Sequence, residues 1–333
     1  MKYSYKKGVC IAVATLGVAF VAWTAWRFMP ANAEDIRRST VIVGETSWNE
    51  IEVDGKPLIF FDEAQGDSAL VGVSMVRDSV MHRTFSTGFW ANRWFMLPSC
   101  EGKLLTVVRP RSEILARCAN ADLLRLCREA IIKRQQAAKR QQAELDYYMR
   151  VHSVQDYGYQ ALAALNTRVE RELTETSRAL HLIDSIGNGR HSLRATTRHE
   201  YAAVYRSAEG RIVRTRLQLV ANDEAKGVAL MQTIDGKTPK SVATVTLLPW
   251  DTDGNRSVVA AGFPSIGEQG IECDTVSPRI IPGEWRENGE HNLPKLLASD
   301  GTPVFSTKGW FVGMVSGDTI ITRCALRSLK ENE

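Results

Sequence analysis

The feature that most constrains this chain is a central block, residues 112–186, in which glycine occurs only at Gly158 and proline is absent. On either side, residues 39–109 and 190–333 consist of short β-branched and aromatic runs separated by Gly, Pro and Asp, a pattern typical of strands and turns. Because the two strand-rich regions need each other to close a sensible β fold, we predict one mainly β domain with a helical insertion.

Within the central block, apolar residues recur at spacings of three and four, which predicts two amphipathic helices. The turn between them falls at 151–159, so the block forms an antiparallel hairpin. Residues 133–143 carry no apolar side chain larger than alanine and have no stripe to bury, which favours a hairpin that projects into solvent. It either packs on its own domain or serves as a contact arm for a protein partner or a second copy. Coiled-coil association is plausible, although the heptads are broken.

The N-terminus predicts export. Residues 1–7 carry three lysines and Gly8–Trp26 is uncharged; as a helix, that run spans about 28 Å, close to the thickness of a bilayer core. We predict a cytoplasmic N-terminus at 1–7 and a transmembrane anchor at 8–29. The alternative is a signal peptide cleaved after Ala33. Both place the rest of the chain outside the cytoplasm, on the periplasmic or cell-surface side.

Composition excludes several other classes. The net charge is +4 without a dense basic cluster, so no nucleic acid is expected as a partner. No CxxC or HExxH motif occurs, and we expect neither metal nor cofactor. Six cysteines could form disulfides after export, but their spacing does not determine the pairing.

Four short segments carry a resemblance. In chain order they are Thr87-Gly88-Phe89-Trp90, Val228-Ala229-Leu230 with the turn before it, Ala261-Gly262-Phe263-Pro264, and Asp300-Gly301-Thr302-Pro303 with the strand up to Val315. They resemble, in order and local spacing, segments of trypsin-like serine proteases of the HtrA/Deg type. The resemblance covers 39–109 and 195–327. It implies a trypsin-like double antiparallel β-barrel with the hairpin inserted, and association into oligomers.

All three catalytic positions implied by this resemblance hold other residues. The histidine position, twelve residues after Gly88, is Cys100; the aspartate position is Gly227; the nucleophile position is Asp300. A serine triad needs a hydroxyl nucleophile, an imidazole base and a carboxylate that orients it, and these three residues supply none of those roles. Ala298 also replaces a glycine of the loop that shapes the oxyanion hole. We therefore expect a non-catalytic homologue that binds a protein or peptide in the former substrate cleft.

Two alternatives remain open. The chain could be an active extracytoplasmic serine endopeptidase with displaced residues, in which Ser299 is the nucleophile and a histidine approaches it; the candidates are His82, His191 and His199. It could instead be a structural subunit of an envelope assembly that uses the hairpin. Weaker candidates are Cys100 as a thiol nucleophile and an acid pair of Asp300 with Glu101 or Asp274.

Overall fold

The computed structural model describes Gly17 and residues 30–65, 69–92, 101–108, 120–186, 192–247, 256–264, 277–286, 289–327 and 329. It divides into two compact units. The first comprises Met1–Gly44, Thr84–Pro110 and Tyr201–Glu333, and the second comprises Glu45–Arg83 and Arg111–Glu200.

Six strands form a closed barrel. Their order is β1-β5-β6-β9-β8-β7, and β7 pairs with β1 to complete the ring. The short β10 extends one edge by parallel pairing with β5, and β2 pairs with β1. The first ten strands are β1 (Thr40–Val53), β2 (Lys56–Phe61), β3 (Glu63–Gln65), β4 (Ala69–Val71), β5 (His82–Asn92), β6 (Lys103–Val107), β7 (Leu193–Arg206), β8 (Ile212–Asp223), β9 (Val228–Thr233) and β10 (Val245–Thr246).

A five-stranded antiparallel sheet follows in the chain, with the order β12-β11-β13-β14-β15. Its inner residues share one core with the barrel strands of the first unit: Phe305, Phe311 and Met314 pack with Phe89 and Leu105, all at most 4% exposed. This shared core fixes the loop before β13 against the barrel. The strands are β11 (Ser257–Gly262), β12 (Arg279–Glu284), β13 (Pro303–Ser306), β14 (Phe311–Ser316) and β15 (Thr319–Thr322).

The central block forms the predicted helical hairpin, from α2 (Asn120–Val151) and α3 (Tyr159–Ile186). Its base belongs to the core of the second unit, where apolar side chains of both helices pack on β1, β2 and β4. Further out, Ala138 and Leu145 pack on Val169 across the hairpin. The polar middle of α2 thus buries only one narrow stripe, which faces α3.

Two short helices flank the β structure. They are α1 (Ala33–Ser39), whose Ile36 enters the core of the first unit, and α4 (Arg323–Arg327). The predicted anchor at 8–29 lies outside the described residues except for Gly17. Among the helices that the structure describes, none has both the length and the apolarity to cross a membrane.

The architecture agrees with the prediction at its coarser level: the protein is mainly β, with a closed six-stranded barrel and a helical hairpin between barrel strands β6 and β7. Some elements were not predicted, among them the helix α1 and the strands β3 and β12. The strand β12 contains Pro282 and lies at the edge of its sheet, where proline is tolerated.

Candidate functional site

The site of interest is the loop before β13, which carries the predicted nucleophile position. It is held against β5 by two hydrogen bonds: the backbone N–H of Thr87 donates to the carbonyl oxygen of Asp300 at 3.0 Å, and the hydroxyls of Thr87 and Ser299 lie 2.7 Å apart. Thr87 is buried, at 1% exposed. The loop is therefore a tertiary joint between the second sheet and the barrel, which we call the 298–302 joint.

Glycine is required at the centre of this joint. Gly301 has φ +86°, and a Cβ built on it would lie 1.8 Å from the carbonyl oxygen of Thr87. That same oxygen accepts a hydrogen bond from Oγ1 of Thr106 on β6, at 2.8 Å. The backbones approach so closely that no side chain fits, and the left-handed conformation disfavours other residues independently.

The carboxylate of Asp300 makes a hydrogen bond within the fold. Its Oδ1 accepts a hydrogen bond of 2.7 Å from the backbone N–H of Gly317, in the turn that connects β14 to β15. The adjacent Gly301 N–H donates to Val315 at 2.8 Å. Asp300 thus ties its loop to the β14–β15 hairpin, and its side chain offers no hydroxyl for acyl transfer.

An oxyanion hole needs backbone N–H groups that point at an empty position. Here the N–H of Ala298, two residues before Asp300, donates to the carbonyl oxygen of Pro294 at 2.9 Å. If Ser299 were the nucleophile, the corresponding donor would be Leu297, and its N–H also donates to Pro294, at 3.0 Å. In either register, one N–H group that the resemblance assigns to an oxyanion hole donates within its own loop.

The predicted aspartate position, Gly227, is a turn residue. Gly227 ends the β8–β9 turn with φ +66°, and its carbonyl oxygen accepts from the N–H of Val108 at 2.9 Å. Asp223 organises this turn by accepting from both the backbone N–H and the ammonium of Lys226; the hydrogen bond from the Lys226 side chain lowers the pKa of Asp223. The turn can supply no carboxylate at position 227.

The remaining candidates have other partners or lie outside the described residues. His82 pairs with Asp62, and His199 hydrogen-bonds Glu45 at 2.7 Å; all four residues belong to the second unit. Glu101 forms an ion pair with Lys103 at 2.8 Å. Cys100, His191 and Asp274 lie outside the described residues. Within the described part of the chain, no hydrogen bond joins a histidine to Ser299 or Asp300.

Two cysteines are described, and neither forms a disulfide: Cys127 is buried and Cys324 is exposed. Burial raises the pKa of the Cys127 thiol to about 12, so it packs as an apolar side chain and does not act as a nucleophile. Across the described ranges, no group of three His, Cys, Asp or Glu side chains is placed to hold a metal ion.

No protein-family model matches this sequence, and no curated protein matches it. Among solved structures, the crystal structure of Deg5 is similar to 88% of this chain over 87% of its own, with 10% sequence identity and a TM-score of 0.38.

The contacts that define the joint were missing from the sequence prediction. Spacing to a matched glycine located Asp300, but its partners Thr87 and Gly317 were not singled out. Thr87 directly precedes Gly88 of the first matched segment, and this adjacency was the only available signal.

Proposed function

We propose that this protein is a membrane-anchored, extracytoplasmic and non-catalytic homologue of trypsin-like proteases that binds a protein or peptide. The anchor and the export rest on the N-terminal sequence. The former substrate region beside the 298–302 joint and the helical hairpin are the two proposed contact surfaces. No metal or cofactor is needed for such a role.

One observation carries the non-catalytic assignment: at the nucleophile position the carboxylate of Asp300 is bound by the N–H of Gly317 at 2.7 Å. This hydrogen bond gives the Asp300 side chain a role within the fold. The glycine at position 227 and the N–H of Ala298 turned to Pro294 support the same conclusion independently. Catalysis would require changes at all three places.

The rival function is an endopeptidase that uses Ser299. Ser299 is partly exposed, which leaves it accessible to a substrate. Its hydroxyl, however, is hydrogen-bonded to that of Thr87, and a threonine cannot take up the proton as a histidine would. The third candidate, a structural subunit of an envelope assembly, uses the hairpin alone and predicts that changes near Asp300 leave assembly unaffected.

A fluorophosphonate probe of serine hydrolases separates the first two functions. We expect no labelling of the detergent-solubilised full-length protein that melts cooperatively, while an active trypsin-like protease in the same detergent is labelled. Two variants accompany it: Ser299→Ala, and the triple variant Cys100→His, Gly227→Asp, Asp300→Ser, which rebuilds the triad positions.

Labelling of the wild type that disappears in Ser299→Ala would contradict the proposal and identify the protein as a working protease. The triple variant asks a different question. If it is labelled, the scaffold still holds a usable cleft and only the side chains were lost. If it melts normally without labelling, the oxyanion donor of Ala298 has been lost as well.

A further inference from the structure

One face of α2 is exposed along the outer part of the hairpin. Six residues at alternating spacings of four and three lie on it and are all exposed: Lys133, Ala137, Arg140, Glu144, Tyr147 and Val151. This is the spacing of a coiled-coil seam. The helix already packs on α3 through a different stripe, which includes Ala138 and Leu145. We call the six residues the outer seam.

Charge and side-chain size change along the outer seam. The half nearer the base of the hairpin is basic, with Lys133 and Arg140 on either side of the small Ala137. The outer part is acidic and then apolar, with Glu144 followed by two large side chains: Tyr147 is 65% exposed and Val151 is 61% exposed. Exposed large apolar side chains grouped at one place on a surface are typical of a contact site.

Among the described residues, the charges of this seam have no partners of their own. Arg140 and Glu144 lie one helical turn apart, but no ion pair within 4.0 Å joins them, and Lys133 makes none either. The order of basic residue before acidic residue is the less favourable one for a pair within a helix. By contrast, the inward-facing Arg134 does pair across the hairpin, with Glu172. The seam charges are therefore available to another molecule.

We propose that the outer seam pairs with the outer seam of a second copy of this chain, in an antiparallel arrangement with a two-fold axis near Gln142. In that register, Arg140 meets Glu144 of the other copy, Ala137 meets Tyr147, and Lys133 meets Val151. A two-fold contact makes each of these pairs twice, because the same surface is used on both sides.

The pairs are complementary in size and charge. The methyl group of Ala137 leaves room for the ring of Tyr147, and tyrosine is among the side chains that contribute most to protein contacts. The aliphatic stem of Lys133 can lie along Val151 while its ammonium stays in water. Two Arg140–Glu144 pairs set the register and exclude a parallel arrangement, in which like charges would meet.

The acidic residues make a lipid surface a poorer occupant. The tip of the hairpin, residues 144–165, carries Glu144, Asp146 and Asp156 and only one lysine or arginine, Arg150, and anionic headgroups would repel this net negative charge. A second copy supplies the missing positive charge from Lys133 and Arg140. The inference deepens the proposed contact role of the hairpin by naming its partner.

The test is the mass of the full-length protein in detergent, measured by sedimentation equilibrium. The wild type is expected at twice its chain mass of 37.1 kDa. Arg140→Glu and Glu144→Arg each place like charges opposite each other and are expected to weaken the dimer at least tenfold. Combining them restores the charge pairs and the dimer. Arg171→Glu, the same charge change on the exposed surface of α3, is the matched control and leaves the dimer intact.

The register is tested by cysteine cross-linking. In Lys133→Cys/Val151→Cys the two thiols are about 27 Å apart within one helix, too far for an internal disulfide. Because Cys324 is free and exposed, every sample carries Cys324→Ser; under oxidation this variant then forms a covalent dimer, whereas each single variant and the parent chain do not. A covalent dimer of Lys133→Cys alone would mean a parallel register and would overturn the proposal.

A monomeric wild type would also overturn it, as would a dimer that Arg140→Glu does not weaken, since its contacts would lie elsewhere. Helix content by circular dichroism confirms that each variant is folded. The probe assay on the same samples keeps the two proposals apart. An unlabelled monomer refutes only the dimer, and a labelled dimer refutes only the non-catalytic role.

Discussion

At position 300, a carboxylate accepts a hydrogen bond from a backbone N–H more strongly than a serine hydroxyl would. An ionised oxygen accepts a hydrogen bond from a backbone N–H about twice as strongly as a neutral one, and Asp300 uses it on Gly317. The side chain of Asp300 therefore holds its loop to the turn of the β14–β15 hairpin.

Because the two backbones approach so closely in the 298–302 joint, we predict that adding one methyl group there strongly destabilises the protein. Gly301→Ala places a Cβ 1.8 Å from the Thr87 carbonyl oxygen, so the loop must move off β5. We expect a loss of at least about 3 kcal/mol in the free energy of unfolding, measured by urea denaturation of the detergent-solubilised protein.

The control for that prediction is Gly210→Ala. Gly210 has φ +78°, and a Cβ there meets nothing within 4 Å, so only backbone strain of about 1–2 kcal/mol is expected. Equal losses at the two positions would mean that the joint is not tightly packed in solution.

At the scale of elements, the sequence pattern predicts strands where apolar residues are dense, and these predicted strands end too early. The first β-branched run of the 39–109 region, STVIVG at 39–44, ends at Gly44, yet β1 continues to Val53. Its polar second half is stabilised by partners on β7: Thr197 donates to Asn49 and Arg198 to Glu50. These partners lie 148 residues away in the chain, so no local pattern could reveal them. The helical hairpin, which depends on local periodicity, was predicted correctly.

The β1–β7 contact carries a pH-dependent contribution to stability. Arg198 donates to both Glu50 and Glu52, whose residues are 6% and 8% exposed. The hydrogen bond from Arg198 lowers the pKa of Glu52 below its ordinary value of 4.5. A lowered folded pKa stabilises the protein above 4.5, and this contribution is lost as the pH falls through the folded value.

Replacing Arg198 with methionine should reverse that dependence. Two carboxylates would then face each other without their hydrogen-bonded counter-charge, with only the weaker effect of the Arg194 charge remaining, and burial and repulsion would raise the pKa of Glu52. We expect a loss of about 1–2 kcal/mol at pH 7.5, which is less than for a fully buried pair because the Arg198 side chain is 49% exposed. The loss should shrink as the pH falls towards 4.5.

The measurement is the denaturation midpoint from pH 4.5 to 7.5, with Arg194→Met as the matched control. Arg194 is exposed on the same strand and influences Glu52 only through its charge. A loss in Arg198→Met that stayed constant with pH would show that packing, and not charge, is what Arg198 contributes.

At the scale of the whole molecule, the question is whether the N-terminal segment stays attached. The residues that fit a signal-peptide cleavage site are built into the first unit. The N–H of Ala31 donates to the carbonyl oxygen of Gly309 at 3.0 Å. The side chain of Asn32 caps α1 by accepting from the N–H groups of Glu34 and Asp35. A segment with these contacts favours the anchor over the cleaved peptide.

We therefore predict that the protein purified from membranes begins before residue 30, as intact mass determination will show. The contribution of residues 30–33 to stability can be tested separately, by comparing the free energy of unfolding of chains that begin at Pro30 and at Glu34. The shorter one loses the cap of α1, worth about 1 kcal/mol, and the Ala31–Gly309 hydrogen bond, worth about 1 kcal/mol more. Its free energy of unfolding should be lower by about 2 kcal/mol. A mature chain that starts at Glu34 and is as stable as the longer one would mean that the segment is a cleaved leader and that the fold does not depend on it.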